Sequence, residues 1–222
     1  YRFEGLVVSV VWPRFTQLVS LNDQDGLKQL YHKSCQLMAV LIMPVTVIIA
    51  LFSYEIMLIW TQNALTAEKT HFLVSVLICG TALNGLAGVP YGLQLSHGWT
   101  RLGFCINVIA VAVLVPMVVF MTRRYGALGG ASIWLLLNIG YVTFSVHFMH
   151  RRILQDEKWR WYWQDVCVPF LASLSRVGVG RLCMAGQMTQ AMTVLYLATL
   201  SILTMGVTVM ATQSTRAWVR EK

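Results

Sequence analysis

The longest uncharged stretch of the chain lies between Lys69 and Arg101 and holds 31 consecutive residues. A helix needs only roughly 20 apolar residues to cross the hydrocarbon core of a bilayer. Gly80, Asn84 and Gly88 recur at four-residue spacing within the stretch, so they lie along one side of a helix. A helix surrounded by lipid needs neither glycines nor amides, whereas a helix packed against other helices uses both. The stretch therefore predicts a membrane-spanning helix inside a bundle.

Further uncharged runs follow one another along the chain, separated by short charged segments, which is the pattern of a membrane protein. Charged residues make up 12% of the chain, against about 25% in soluble domains. We therefore expect an all-α integral membrane protein with a polytopic helix bundle. The expected division is a truncated transmembrane helix at 1–17, an amphipathic cytoplasmic connector at 18–35, four transmembrane helices at 36–150, a cytoplasmic aromatic and basic connector at 151–165, a final transmembrane helix pair at 166–215 and a cytoplasmic tail at 216–222.

The two connectors have distinct compositions. In the first, Asn22 or Asp23 is placed to cap a helix whose Leu27 and Tyr31 share one face, which predicts a surface helix at the lipid interface. The second connector carries three tryptophans within five residues, 159–163, which is typical of an aromatic belt at the membrane interface. The first run of the chain is too short to span a membrane and begins without Met, so we expect that its helix starts upstream.

The distribution of Lys and Arg predicts the orientation in the membrane. Alternate connections hold 11 of these residues and the remaining connections hold 6. The richer set is Arg14, Lys28, Lys33, Arg101, Arg151, Arg152, Lys158, Arg160, Arg216, Arg220 and Lys222. The positive-inside rule places this set, and with it the C-terminus, in the cytoplasm. The net charge of +8 therefore indicates topology and contact with anionic lipid, and we expect no nucleic-acid partner.

Four amides interrupt three successive spans: Asn84, Gln94, Asn107 and Asn138. Each alone is most simply a hydrogen-bond partner for a neighbouring helix, for about 0.6 to 2 kcal/mol. Together they favour a polar interior, with Tyr91 close to the line of Asn84. Pro90 removes one backbone donor late in the same span and is expected to bend or loosen the helix.

Arg176 allows two interpretations. Eleven residues of helix beyond Asp165 place it about 16 Å deeper, near the middle of the bilayer, where an arginine suits an anionic ligand. In a shorter or displaced span the same side chain reaches the far interface beside Arg181.

No arrangement of residues predicts catalysis, a cofactor or a resident metal. His147 and His150 lie one helical turn apart at the end of a span, without the further ligands that a metal site needs. The glycines of 126–130 begin a helix and do not form a phosphate-binding loop. Five widely spaced cysteines lack any C-x-x-C pair and predict free thiols. We therefore expect a protein that is not an enzyme.

Four motifs in fixed order carry a family resemblance. They are W-P-R-F-T-Q-L at 12–18, D-x-x-G-L-K-x-L-Y-H-K-S at 23–34, L-N-G-L-x-x-V-P-Y-G-L-Q-L-x-x-G-W-T-R at 83–101 and Y-G-A-L-G-G-A at 125–131. The chain resembles the C-terminal half of Wzx-type oligosaccharide and polysaccharide flippases. These belong to the MOP superfamily, which also holds the multidrug-extruding MATE transporters and the lipid II flippase. The likeness runs from about Trp12 to about Asp165 and is looser beyond.

The resemblance implies the C-terminal lobe of a two-lobed, MATE-like transporter in the bacterial inner membrane. Its substrate would be a lipid-linked oligosaccharide, moved by alternating access. Its other partners would be membrane lipids and a missing N-terminal lobe. Two alternatives stay open. A multidrug or small-cation exporter of the same superfamily is expected to show an acidic residue in its cavity, and the spans hold almost none. An incomplete, non-transporting membrane fragment is the other.

Within this interpretation, the residues expected to face the substrate path are Asn84, Tyr91, Gln94, Asn107 and Asn138. Arg14 or Arg101 would meet the pyrophosphate of the lipid carrier at the cytoplasmic end, because its charge needs cations. Arg176 is the third candidate for that role, although it is not part of the family pattern. Gly88 and Pro90 would let their helix flex as the lobes rock, or would form only a static kink.

Overall fold

The computed structural model describes residues 2–184 and 189–212 as a bundle of helices. The helices are α1 (Arg2–Ser20), α2 (Gln24–Leu51), α3 (Ser53–Thr61), α4 (Ala64–Ser96), α5 (Thr100–Gly140), α6 (Val146–Arg152), α7 (Lys158–Arg160), α8 (Val168–Cys183) and α9 (Gln190–Ala211). Two π-helical segments, Tyr141–Ser145 and Trp161–Cys167, join α5 to α6 and α7 to α8. These ranges contain no β-strand, so the predicted all-α class is confirmed.

Polar side chains at the helix starts define where the long helices begin. Asp23 Oδ1 accepts a hydrogen bond from the backbone N–H of Gly26 at 2.9 Å, which caps α2 as the sequence predicted. Asn63 Oδ1 does the same for α4, accepting from the N–H of Thr66 at 3.0 Å. Each cap satisfies a backbone donor that the first helical turn leaves unpaired.

Helix α5 consists of two antiparallel arms that meet at Gly126. This glycine has φ of 60° and ψ of −141°, outside the helical region. Beyond it the chain returns along the first arm, since a Cβ added to Gly129 would lie 2.2 Å from the carbonyl oxygen of Met121. The hydroxyl of Tyr141 lies 2.6 Å from Asn107 Oδ1. In a straight helix these two residues, 34 positions apart, would be separated by about 50 Å. The α5 hairpin therefore crosses the bundle twice.

Five helices of the described chain are long and apolar enough to cross a membrane. One of them is the continuous run Thr100–Arg152, which contains the hairpin and so provides two arms of spanning length. The most apolar stretch of that run contains no buried residue, and it carries exposed Phe104, Ile109 and Phe120 side chains. Such a surface suits hydrocarbon, where an α-helix satisfies its own backbone groups. The chain is thus a multi-pass membrane protein.

The alternating helices give the bundle two ends. The Lys28 end is formed by the turns 20–24, 96–100 and 152–158, and Arg152 stacks there over the ring of Trp99 at 4.4 Å. The Glu55 end is formed by 51–64, the Gly126 turn, the end of α8 and the start of α9, and Arg181 pairs there with Glu55. Of the 11 cations predicted to share one side, eight lie in the turns of the Lys28 end or in the helix segments that flank them. Arg216, Arg220 and Lys222, like the predicted tail 216–222, lie outside the described residues.

The first connector differs from its prediction. Residues 24–35 are the first turns of α2, continuous with the span, rather than a separate helix on the membrane surface. Leu27 and Tyr31 are fully buried and Cys35 nearly so, within a core that includes Phe15 of α1 and Met149 of α6. The prediction of a surface helix was wrong because an amphipathic face has the same periodicity whether it meets lipid or protein.

The second connector is likewise partly internal. Trp159 and Trp163 are 75% and 63% exposed, as residues of an interfacial belt should be, but Trp161 between them is fully buried. Asp165 is also fully buried. One continuous belt is excluded, because the π-helical segment turns Trp161 into the core, and an interfacial position of the two exposed tryptophans stays a prediction.

Candidate functional site

The amides of α4 and of the second arm of α5 meet inside the bundle. Asn84 Nδ2 donates to Asn138 Oδ1 at 2.8 Å, and Asn138 Nδ2 donates to the carbonyl of Trp134 at 2.8 Å. Asn138 is fully buried. Close approach of the two helices is set one turn away, where a Cβ on Gly80 would lie 2.7 Å from Trp134 Cδ1. The predicted line of small residues and amides on α4 therefore forms a helix–helix contact at Gly80 and Asn84.

Further along α4, the same face borders a cavity of about 240 Å³. Its lining residues come from α4, from the start of α5 and from the first π-helical segment: Asn84, Ala87, Gly88, Tyr91, Gly103, Ile106, Asn107, Tyr141 and Ser145. Three of the five residues predicted to face a substrate path, Asn84, Tyr91 and Asn107, therefore lie around one cavity. We call it the Tyr91 cavity.

Hydrogen bonds fix one wall of the Tyr91 cavity. Asn107 Nδ2 donates to the carbonyl of Gly103 at 2.8 Å, and Asn107 Oδ1 accepts from the hydroxyl of Tyr141 at 2.6 Å. Tyr141 and Ser145 were not singled out by the sequence, because they lie more than 30 residues after Asn107 and only the α5 hairpin brings them back. The result is a small set of amide and hydroxyl groups among apolar residues, which is how ligand sites are usually built.

The other two predicted amides lie away from the Tyr91 cavity. Asn138 sits behind Asn84 in the helix contact. Gln94 is 1% exposed, and its Nε2 donates to the carbonyl of Trp99 at 2.9 Å, which ties the end of α4 to the turn before α5. Its Oε1 has no hydrogen-bond partner within the described part of the chain. In this structure both amides contact protein groups rather than the cavity.

The predicted cations occupy three different places. Arg101 is exposed at the start of α5, two residues before Gly103 of the cavity wall. Arg14 is exposed on α1, where its Nη1 donates to Gln17 Oε1 at 2.7 Å. Arg176 is half-buried on α8 and does not line the Tyr91 cavity. Of the three, only Arg101 is close in sequence to a cavity residue.

The predicted flexing residues lie within α4. Gly88 lines the Tyr91 cavity, and Pro90 is buried two residues later. Helix α4 continues through both without interruption from Ala64 to Ser96. Whether the helix bends during a working cycle stays a prediction.

A second polar site, which the sequence did not predict, lies buried at the Lys28 end. His32 of α2 contacts Asp165 through Nδ1 at 2.5 Å and Glu157 through Nε2 at 3.0 Å. Gln36, one turn further along α2, donates from Nε2 to Asp165 Oδ1 at 2.8 Å. His150, one of the two histidines at the end of the preceding span, is 1% exposed and shares a hydrogen bond of 3.1 Å with the hydroxyl of Tyr31.

Glu157 shows how charge is balanced at the rim of this cluster. Burial raises the pKa of its carboxyl, but the hydrogen bond to His32 and the positive charges around it lower the pKa by more, so the net shift is downward. Those charges include Arg160, with Nη1 at 3.4 Å from Oε2, and Lys28, with Nζ at 3.8 Å from Oε1. The ionised carboxylate is therefore favoured in the folded chain.

Comparison with known proteins gives one partial likeness. The chain is 28% identical over 120 residues to a protein of Shigella flexneri named "Putative O-antigen transporter". The matched segment covers 54% of this chain and 28% of that protein. No protein-family profile matches the chain, and no solved structure matches it. The chain is thus an all-α, multi-pass membrane protein that is similar, over about half of its length, to part of a protein named as a transporter.

Proposed function

We propose that the chain is part of a flippase of the MOP superfamily that moves a lipid-linked oligosaccharide across the bacterial inner membrane by alternating access. The observation that carries the proposal is the Tyr91 cavity, whose polar lining is made of amides and hydroxyls. The likeness to a protein named as an O-antigen transporter supports the same class of substrate. The role is transport without a chemical step, and no cofactor takes part.

The lining of the Tyr91 cavity suits a sugar better than a cation. Asn107 and Asn84 offer amide groups that both donate and accept hydrogen bonds, so they can pair with sugar hydroxyls without demanding one stereochemistry. Tyr91 is 47% exposed and adds an aromatic surface beside them. The described residues that line the cavity include no carboxylate, which a small-cation exporter would be expected to place there.

The size of the cavity bears on how much substrate it holds. Sites for drug-sized ligands begin at about 300 Å³, and the Tyr91 cavity measures about 240 Å³. It would therefore hold part of an oligosaccharide, with the rest of the glycan outside this wall. A second lobe, contributed by a longer protein, would complete the path.

The charged part of the substrate calls for a separate contact. A pyrophosphate is best held by arginine, which donates in a fixed, paired geometry. Arg101 is the strongest of the three predicted cations, because it precedes the Gly103 wall by two residues. Arg14 and Arg176 are second choices. The positive-inside rule would place Arg101 and the Lys28 end in the cytoplasm, together with the C-terminus.

Native mass spectrometry of the chain in lipid nanodiscs tests the proposal. The probe is a polyprenyl pyrophosphate that carries an oligosaccharide, compared with the same carrier without sugar. We expect tighter binding of the glycosylated carrier. Asn107→Leu or Tyr91→Ala should weaken binding of the glycosylated carrier by about two- to tenfold and so remove the gain from the sugar. The reason is that each variant loses contacts worth about 1 kcal/mol in total. Arg101→Gln should weaken both probes.

Gln17→Leu is the matched control, since it also removes an exposed amide but lies on α1 away from the cavity. It should leave the gain from the sugar unchanged. Equal binding of the two carriers, or an unchanged gain in Asn107→Leu and Tyr91→Ala, would show that the cavity does not recognise a glycan.

A further inference from the structure

The buried cluster at the Lys28 end places one imidazole between two carboxylates from different segments. His32 Nδ1 lies 2.5 Å from Asp165 Oδ2, and Nε2 lies 3.0 Å from Glu157 Oε2. In the sequence His32 is 133 positions from Asp165 and 125 positions from Glu157, so only the fold brings them together. Neither the cavity nor the proposed transport makes use of them.

Hydrogen-bond chemistry fixes how many protons this arrangement holds. An ionised carboxylate only accepts hydrogen bonds, and a ring nitrogen without a proton also only accepts. While both carboxylates are ionised, both contacts of His32 are hydrogen bonds at once only if both ring nitrogens carry protons. Loss of one proton would leave a nitrogen lone pair facing a carboxylate oxygen, which repels it. The cluster can therefore exist in two states that differ by one proton.

The solvent reaches the cluster from one side. Asp165 is fully buried and the side chain of His32 is 3% exposed, whereas that of Glu157 is 15% exposed. Lys28 and Arg160 stand beside Glu157 at the surface. A proton that travels between water and Asp165 along these contacts passes Glu157 first and His32 second.

Other groups around His32 restrict which atom exchanges the proton. Gln36 holds the second oxygen of Asp165 and cannot titrate, and Tyr31 stacks edge-on against His32 with ring centroids 5.3 Å apart. The titratable or charged described residues around the cluster are Lys28, Tyr31 and Cys35 of α2, His150 of α6, Glu157 before α7, Lys158 and Arg160 of α7, and Tyr162 and Asp165 of the following π-helical segment.

We propose that His32, with Asp165 and Glu157, forms a proton-binding site that takes up and releases one proton through Glu157. On release, the Nε2–H bond of His32 breaks, the electron pair stays on the nitrogen and the proton passes by way of the Glu157 carboxylate to water. On uptake the steps reverse, so no oxidant or second reactant is required. The site does not depend on whether the chain carries a glycan.

Proton binding at this place would act on the packing of two elements. His32 belongs to α2. Glu157 and Asp165 lie near the two ends of the stretch 157–167, which leads into α8. In the protonated state His32 holds both ends of that stretch against α2. In the deprotonated state it holds one end, because only one N–H remains.

Nitrogen NMR of the whole 222-residue chain, labelled at its five histidines and held in detergent micelles, tests this site as the pH is changed. We expect the ring of His32 to carry protons on both nitrogens and to lose one of them as the pH rises. Its signal should disappear in His32→Asn and persist in His147→Asn, the matched control on a half-exposed histidine outside the contacts of His32.

Glu157→Gln provides the decisive variant, because it keeps the size of a partly exposed side chain and removes its charge. The transition of His32 should then move, since a neutral amide replaces one of the two carboxylates that face its ring. Two results overturn the proposal. One is a His32 that keeps the same number of ring protons at every pH at which the chain is folded. The other is a transition that Glu157→Gln does not move.

Discussion

At the scale of single residues, depth separates the polar side chains that hold helices together from those that face open space. Asn138 is fully buried, and its amide is used by Asn84 on one side and by the carbonyl of Trp134 on the other. Asn107 and Tyr91 are exposed and border the Tyr91 cavity. An amide in a bundle is costly to leave unpaired, so Asn138 and Asn107 both bond protein groups, and only Asn107 also borders open space.

Gly80 is the residue whose substitution should disturb helix packing most directly. A Cβ there would lie 2.7 Å from Trp134 Cδ1 and 3.2 Å from the backbone Cα of Leu135, so the second arm of α5 would have to move. We expect Gly80→Ala to lower the free energy of unfolding by about 1 to 3 kcal/mol. Thermal unfolding in detergent, followed by circular dichroism, measures the loss.

Gly140→Ala is the control for Gly80→Ala. Gly140 is helical, and a Cβ there would meet nothing within 4 Å. This substitution should raise stability slightly, by up to about 1 kcal/mol, because alanine favours the helix. If both variants unfold at the same temperature, the close approach at Gly80 does not determine the packing.

The lowered pKa of Glu157 predicts how the stability of the folded chain depends on pH. The pKa of its carboxyl is lowered in the folded chain, although burial alone would raise it, so ionisation stabilises the fold. That contribution is complete above the ordinary pKa of an unfolded glutamate, 4.5, and is lost as the pH falls through the lower folded value. We expect the unfolding temperature to fall with acid in this range, and to fall less in Glu157→Gln. An identical acid dependence of the two proteins would contradict the role given to its hydrogen bond with His32.

At the scale of elements, the α5 hairpin decides which residues can meet. Its two arms bring Tyr141, the first residue after the second arm, back to Asn107 in the first arm, and so form one wall of the Tyr91 cavity. The bend depends on Gly126, whose φ of 60° with ψ of −141° is a conformation that residues with a Cβ rarely adopt. The conformation of a single glycine therefore fixes the position of the cavity wall.

Gly126→Ala tests this dependence. A Cβ at Gly126 would meet no atom within 4 Å, so any effect comes from backbone strain and not from a clash. We expect a loss of about 1 to 3 kcal/mol in the free energy of unfolding, again relative to Gly140→Ala. A stability equal to that of Gly140→Ala would mean that the turn relaxes into another conformation at no cost.

The sequence predicts the spans better than it predicts the sites. Long uncharged runs, and the glycines of 126–130 that separate two of them, are local features and so can be read directly. The burial of the first turns of α2 cannot be read from the sequence, because a stripe of apolar residues has the same periodicity whether it faces lipid or the protein core. The cluster of His32 with Asp165 is also hidden, since its members are 133 residues apart and lie in segments that composition assigns to the surface.

At the scale of the whole molecule, the connections fall into two sets by contact, independently of any count of charges. Lys28 and Glu157 form an ion pair at 3.8 Å, which joins the start of α2 to the connection before α7. Gln62 and Gln190 exchange hydrogen bonds, the shorter of them 2.8 Å, which joins the turn between α3 and α4 to the start of α9. The same alternation appears in the distribution of Lys and Arg along the sequence, so packing and charge bias agree on which connections share a side.

Labelling of single cysteines in intact cells tests both that agreement and the predicted orientation. The native cysteines would first be replaced, because Cys105 and Cys183 are exposed. New cysteines at Lys33 and at Trp163 report on the Lys28 end, and one at Gln62 reports on the Glu55 end, since all three side chains are exposed. By the positive-inside rule, an impermeant reagent should reach Gln62→Cys from outside and reach the other two only after the cells are opened. The reverse pattern would invert the orientation and keep the fold, whereas different accessibility of Lys33→Cys and Trp163→Cys would contradict the fold itself, because the contacts between Lys28, His32 and Glu157 require both segments on one side.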